Sequence, residues 1–531
     1  MKAESALSDW AQLLGSAHVL NAQTAQTVYG ADTTGVARRL LGALQISDSE
    51  LLPEVMRIAG RHGVPVYPIS TGNNWGYGTS LPASNDCVIL DLSRLARILH
   101  FDTELGVVTL EPGVTQGMLA DFLDQGGHPF LVPATGAGPH CSLLGNALER
   151  GYGITPYTDH FAAVTDLEAV LPDGTLYYTA LREAGGEDLA RLFKGGIGPA
   201  STGLFTQSSF GVVTRMSIAL ARRPECIKAC LFSLKRDDQL GLAVTRVREI
   251  LSSLPGIVGG LNLMNQHRIL AMAAPFPHNR LDASGMIPRE VIQELGEQYQ
   301  VYPWTGFGTL YGSKRVVAAA QKEIRMALSG VASRLIFISP ERADTLATVA
   351  AMIPGIRQSK LASTVKTLAK SLQLVAGHPN ETALPLAYWR NPSQASGTRR
   401  NPAADGCGLI WYAPLVPMRP QGVGQYVDMV KEVTRRHGIE PLITLTSLND
   451  RVFDSTVPII FERDRQDAQR AAEQCYWDLL TTGQKMGCFP YRVGVGSMEH
   501  LASLQQHAHA FHTNLKKHLD PANILAPGRY S

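Results

Sequence analysis

No stretch of this 531-residue chain approaches the roughly 20 apolar residues that span a bilayer, so no membrane partner is expected. The opening MKAESALSDW lacks the apolar core of a secretion signal, and a cytoplasmic location is the expectation. Its seven cysteines (Cys87, Cys141, Cys226, Cys230, Cys407, Cys475, Cys488) are odd in number and form no CxxC pair. That speaks against a disulfide framework and a zinc site; no metal is expected, and the thiols read as buried and reduced. Charge of one sign is also missing. With 48 Lys and Arg against 46 Asp and Glu the formal net charge is +2, and pairs such as Arg399-Arg400 and Arg435-Arg436 stand isolated. A nucleic-acid partner would need a basic stripe. Nor does a GxGxxG follow a strand, since Gly195-Gly196-Ile197-Gly198 and the stretch after Gly136 lack its spacing and context. A Rossmann-type nicotinamide site is therefore not expected.

What remains is an ordinary enzyme composition, 45% hydrophobic and 18% charged, in a chain long enough for two domains. From Ser49, Leu52, Val55, Met56 and Ala59 share one helical face that Gly63 ends. VPVYPIS and CVILDLS read as strands, ILHFDTELGVVTLEPG and VTDLEAVLPDGTLYYT as hairpins, and VTQGMLADFLDQGG as a helix. Beyond Arg222-Arg223-Pro224 the strands ACLFSL, LIFIS, GLIWYAPLV and PLITLTSL alternate with long helical patterns such as DQLGLAVTRVREILSSL. The fold class expected is α+β, with a second α/β domain built on an antiparallel sheet. The turn-rich stretch 392–406 reads as an exposed loop or lid.

One loop carries chemistry. Ser70, Thr71, Gly72, Asn73, Asn74, Trp75, Gly76, Tyr77, Gly78 and Thr79 follow a strand directly, and their glycines and small polar groups suit a backbone nest for a diphosphate.

In chain order, PISTGNNWGYG, VILDLSRL, VTLEPGV, LLGNALERGYGITPYTDHF, LPDGTLYYT, GLFTQSSFGVVT and LDPANILAPGR resemble the FAD-binding family of vanillyl-alcohol oxidase and para-cresol methylhydroxylase. The resemblance implies a two-part FAD-binding domain, residues 1–222 and 488–531, around an inserted cap domain, residues 223–487. It implies that Ser70 through Tyr77 cradle the pyrophosphate. Gly145, Asn146, Arg150 and Gly153 would then follow the isoalloxazine and ribityl chain, and Gly203, Gly211 and Val213 the adenine end. It further implies that Tyr77, Tyr491 and Arg492 hold a phenolate, and that Arg529 brings positive charge to the flavin pyrimidine edge.

The chain also departs from that pattern. The position of a flavin-tethering histidine is Leu409, that of a tethering tyrosine falls at Ala387 beside Tyr388, and no histidine stands near Asn74. The spacing of Cys141 is short for a thioether. FAD is expected without a covalent link, with Tyr388 as the remaining candidate. The loop PATGAGPHCSLLGN and the strand ITLTSL carry no acid where relatives place a base; His140 is the substitute considered. Asp159-His160 match a family segment of structural character. The expected function is hydride transfer from a small, para-substituted phenol to flavin N5, with oxygen or a redox protein such as a cytochrome as acceptor, in a possible homodimer. Two alternatives stand beside it: the same flavin fold acting on a non-phenolic alcohol, amine or hydroxy acid, and a flavin-binding protein without turnover.

Overall fold

The computed structural model describes residues 2–352, 360–391 and 399–530. The glycine loop owes its place to a four-stranded sheet ordered Val19–Asn21, Leu40–Gln45, Cys87–Asp91, Val66–Ile69. The last three strands run parallel, and Cys87–Asp91 is buried along its whole length, as a strand covered on both faces must be. Helix Leu52–His62 lays Leu52, Val55, Met56, Ile58 and Ala59 on this core and ends at Gly63 in the left-handed region. The first forty residues join the same core: Trp10 is fully enclosed and its indole N–H donates to Val55 O at 3.0 Å.

The far end of the chain returns here. Val66 N donates to Ile524 O at 2.7 Å and Ala526 N to Val66 O at 2.8 Å, so the tail pairs in parallel with the strand that leads into residues 70–79. A five-stranded antiparallel sheet lies alongside, ordered Ile98–Asp102, Val107–Leu110, Val212–Ala219, Val164–Val170, Leu176–Tyr177. Both hairpins expected there are present.

The inserted cap is built on an antiparallel sheet ordered Arg334–Ile338, Cys226–Leu234, Trp304–Gly312, Val258–Asn265, Thr444–Ser447, Val452–Glu462, Cys407–Tyr412, with Leu415–Pro417 also on Val452–Glu462. Helices Leu240–Ser253, Pro420–Arg436 and Gln466–Lys485 cover it. Three of its strands, Val258–Asn265, Trp304–Gly312 and Val452–Glu462, were not expected from the sequence. Within the loop expected at 392–406, residues 392–398 lie outside the described residues; the remainder turns back so that Asp405 is buried. No helix among the described residues is long and apolar enough to cross a membrane. They also hold no cluster of three or more metal-binding side chains, and all seven cysteines are free thiols.

Candidate active site

Strand Val66–Ile69 feeds residues 70–79 into a cavity of about 280 Å³. The loop turns through Gly72 (φ 65°) and Gly76 (φ 78°), where a side chain is disfavoured. A Cβ on Gly76 would stand 2.2 Å from Trp411, so the cap's indole lies directly on the loop backbone. Thr33 Oγ1 accepts from Gly76 N at 2.7 Å and fixes the turn from outside. The cavity wall includes Ser70, Thr71, Gly72, Asn73, Asn74, Trp75 and Tyr77 from this loop, Gly145 and Asn146 from the helix Leu143–Leu148 region, Gly211 and Val213 from the five-stranded sheet, and Arg492 and Arg529 from the tail.

The other expected residues lie elsewhere. Gly76 stands behind the wall against Trp411. Arg150, in the left-handed region at φ 53°, points its Nε to Thr206 Oγ1 at 3.1 Å. Gly153 makes room for His160, whose Nε2 would be 2.4 Å from a Cβ there, and His160 Nδ1 is hydrogen-bonded to the Asn146 amide. Burial pushes this imidazole down to about 4, so it stays neutral and serves to hold Asn146. Gly203 is exposed within the short 3-10 helix Thr202–Phe205. His140 is exposed, its carbonyl accepting from Asn73 Nδ2 at 2.9 Å. Tyr388 is buried away from the wall, donating to Asp405 beneath Arg400. Tyr491 stands just behind the wall, edge-on to Tyr152 with ring centroids 5.6 Å apart.

Arg492, Tyr77 and Asn74 form one unit. The guanidinium carbon lies 4.3 Å from the Tyr77 ring centroid, Nη2 donates to Asn74 Oδ1, and Nε stands 3.3 Å from Glu149 without hydrogen-bond geometry. Arg529 also pairs with Glu149, and it donates to Tyr67 Oη at 3.0 Å and Ser208 O at 3.1 Å. Burial works against the Glu149 charge, but Arg529 and Arg492 outweigh it and hold the carboxyl below its usual range. Burial pushes both tyrosine hydroxyls well above their usual range, against Arg492, so Tyr77 and Tyr491 remain neutral donors.

One buried acid escaped the sequence reading. Asp454, on strand Val452–Glu462, is 5% exposed and carries an Oδ1 that accepts from nothing. Its charge acts on Tyr491, Tyr77 and Tyr152 and is countered by Arg492. A signal was present: an acid in the largely apolar segment VFDSTVPIIF, beside the core residue Phe453.

Known proteins now decide the family. Residues 41–180 match the FAD binding domain family. The chain is 32% identical over 529 residues to the 1'-carboxy-chondrochloren decarboxylase of Chondromyces crocatus, covering 99% of this chain and 97% of that protein. It belongs to the vanillyl-alcohol oxidase and p-cresol methylhydroxylase family of FAD-dependent oxidoreductases. The flavoprotein subunit of 4-cresol dehydrogenase [hydroxylating] from Pseudomonas putida is 26% identical over 500 residues, 92% of this chain and 87% of that one. The fold matches the crystal structure of p-cresol methylhydroxylase with substrate bound at a TM-score of 0.87 and 24% identity, over 100% of this chain and 96% of that one.

FAD is thus the cofactor of this family member, and the cavity fits it. Trp75 Nε1 and Ser208 Oγ are buried on the wall without a partner, as donors kept for a polar ligand are. Gly145 and Gly211 leave space that a Cβ would close, 2.4 Å from Ser70 Oγ and 2.7 Å from the Phe205 ring. Cys141 is also on the wall; its Sγ donates to Ala137 O at 3.1 Å, and burial pushes the thiol up to about 12, which keeps it unreactive.

Proposed function

We propose that this FAD-dependent oxidoreductase takes a hydride from a small, para-substituted phenol, and that Tyr77, Tyr491 and Arg492 hold the phenolic oxygen. The supporting observation is the buried stack of Arg492 on Tyr77 with Tyr491 next in the chain. It offers two neutral hydroxyl donors and a cationic fork in a water-poor pocket, which favours an aromatic oxyanion. Glu149 compensates one of the two arginines, so the triad Glu149, Arg492 and Arg529 keeps a net charge of +1, enough to draw an anion without repelling flavin phosphates. FAD, when bound, supplies the two-electron acceptor at N5. Ser70, Thr71, Gly72, Asn73, Asn74 and Trp75, with Gly145, Asn146, Gly211 and Val213, would hold it, and the division at 222/223 and 487/488 belongs to this reading. The electrons then pass to oxygen or to a redox protein; the name "flavoprotein subunit" of the Pseudomonas relative supports the latter.

A second reading has its own support. The full-length relative from Chondromyces is called a decarboxylase, and the one carboxylate on the cavity wall, Glu149, is held by two arginines. A phenol bearing a carboxylate on the carbon next to the benzylic position needs no further base: after two-electron oxidation the bond to the carboxyl breaks, CO2 leaves, and its electron pair restores the aromatic phenolate.

One experiment tests both. The FAD-loaded enzyme is mixed anaerobically with 4-hydroxybenzyl alcohol, 4-alkylphenols and 3-(4-hydroxyphenyl)propanoate while flavin absorbance and CO2 are followed. Bleaching by phenols, slowed roughly 10²- to 10³-fold in Arg492→Ala, is the expected result. Stoichiometric CO2 from the carboxylated phenol selects the second reading. No bleaching by any of them, or an Arg492→Ala enzyme as fast as the wild type, sinks the phenol assignment.

A further inference from the structure

Strand Val452–Glu462 places Asp454 opposite Leu415 on one side and Thr446 on the other. Leu415 N donates to Phe489 O at 2.8 Å, and Pro414 bridges Pro490. The segment that starts the phenol clamp at Tyr491 therefore lies one strand away from Asp454. Titratable or charged groups from four elements interact electrostatically with this carboxyl. Tyr77 comes from the glycine loop, Tyr152 from the turn after Arg150, Tyr491 and Arg492 from the tail, and Tyr426 from helix Pro420–Arg436. Tyr426 is already spent, donating to Ser455 Oγ at 2.9 Å. Arg492 is the cation of this group, and it is shared with Glu149.

A structural aspartate in a strand is normally bonded at both oxygens, because a lone buried carboxylate costs more than its packing returns. Asp454 is 5% exposed with Oδ1 enclosed and unbonded, in a neighbourhood of hydroxyl groups able to carry a proton. An acid absent from the loop before Gly145 and from the strand Thr444–Ser447 is thus present one strand over, beside the segment that leads into Tyr491 and Arg492.

Resting on the phenol reading above, we propose that Asp454 is the proton-holding residue of the clamp, acting through Tyr491 or Tyr77. In this step the phenolic O–H breaks, the tyrosine hydroxyl takes that proton and passes its own to the Asp454 carboxylate, and substrate phenolate faces Arg492. No electrons move in it; the oxidation that follows is the flavin's. The direction is feasible near neutral pH. Burial pushes Asp454 up to about 7, against the pull of Arg492, which narrows the gap to a phenol at about 10 compared with an ordinary carboxylate at about 4. Asp454 is a positioning residue on this view, since it reaches the substrate through a tyrosine.

The test uses FAD-loaded full-length enzyme, anaerobic stopped-flow reduction by 4-ethylphenol across pH, and optical titration with 4-nitrophenol, whose phenolate is coloured. The wild-type reduction rate is expected to rise through an inflection near pH 7 and to bind 4-nitrophenol as phenolate. Asp454→Asn is expected to lower the rate roughly 10²-fold, abolish the inflection and shift bound 4-nitrophenol toward its neutral form; Asp454→Glu restores part of both. A merely structural residue would lower thermal stability or FAD content and leave the pH profile in place. Wild-type-like rates and inflection in Asp454→Asn overturn the proposal. If that variant does not fold, a wild-type rate flat between about pH 6 and 8 overturns it as well. A wild type neither reduced by 4-ethylphenol nor binding 4-nitrophenol overturns the phenol reading itself, and this proposal with it, and is recognised before any variant is made.

Discussion

Glu149 stands between Arg492 and Arg529, one reaching toward Tyr77 and Asn74 and the other toward Tyr67 and Ser208. The two functional charges are therefore not independent: changing either arginine alters the field at the other through one shared carboxylate. Gly145 shows how little room such a site has. A methyl there would stand 2.4 Å from Ser70 Oγ and 3.3 Å from Ser142 Oγ, which caps the helix by accepting from Gly145 N. Gly145→Ala must push Ser70 off its rotamer at a cost of about 0.5–1.5 kcal/mol, so FAD affinity is expected to fall roughly three- to tenfold in a fluorescence titration of the apoprotein. Unchanged affinity would show that Ser70 does not face the cofactor. At this scale the sequence was readable where backbone demands are local, as at Gly72 and Gly76 with their positive φ. Asp454 was not, because the segment leading into Tyr491 comes near it only through strand pairing, and His140 is exposed where the spacing allowed it to face the flavin.

Among the elements, the tail is held by one buried cation. Lys516, on helix Gln506–Leu519, donates to Ser209 O, to Asp520 Oδ2 and to Leu525 O at 2.6–2.9 Å, tying the tail to the five-stranded sheet and to itself. Lys516→Met would leave the Asp520 side chain, 1% exposed, with only the amides of Ile524 and Leu525. A loss at the lower end of about 3–5 kcal/mol is expected, seen as a lower urea midpoint with early release of FAD, since Arg529 rides on the same segment. An unfolding free energy within about 0.5 kcal/mol of the wild type would show that the tail does not depend on this contact. Two of the three strands not expected from the sequence share a cause. WTGFGTLYG and VGGLNLMN are rich in glycine, which argues against a strand by propensity. Here Gly306 lies under the Phe232 ring, 2.1 Å from where its Cβ would be, so the cross-strand aromatic fills the space the glycine leaves. That compensation exists only once the two strands pair.

Taken whole, the molecule closes its cavity with pieces far apart in the chain: the loop after Val66–Ile69, the helix Leu143–Leu148, Trp411 of the cap, and Arg492 and Arg529 of the tail. Leu409 occupies the histidine position, the Tyr388 hydroxyl is committed to Asp405, and the Cys141 thiol is held protonated by burial. FAD is therefore expected in the supernatant after acid precipitation of the yellow protein; flavin colour retained in the pellet would reverse that assignment. Local sequence determined the pieces whose physics is local. The left-handed glycines, the amphipathic helix ending at Gly63 and the hairpins were legible, because turn chemistry and hydrophobic period act within a few residues. The family and its cofactor were legible only through the resemblance of an ordered set of motifs. Only tertiary structure decided how charges pair and which buried acid lies beside the tail. The Glu149–arginine triad and the approach of Asp454 to the clamp depend on sheet order and on the tail's return to Val66, and electrostatics between groups hundreds of residues apart has no signature in a linear pattern.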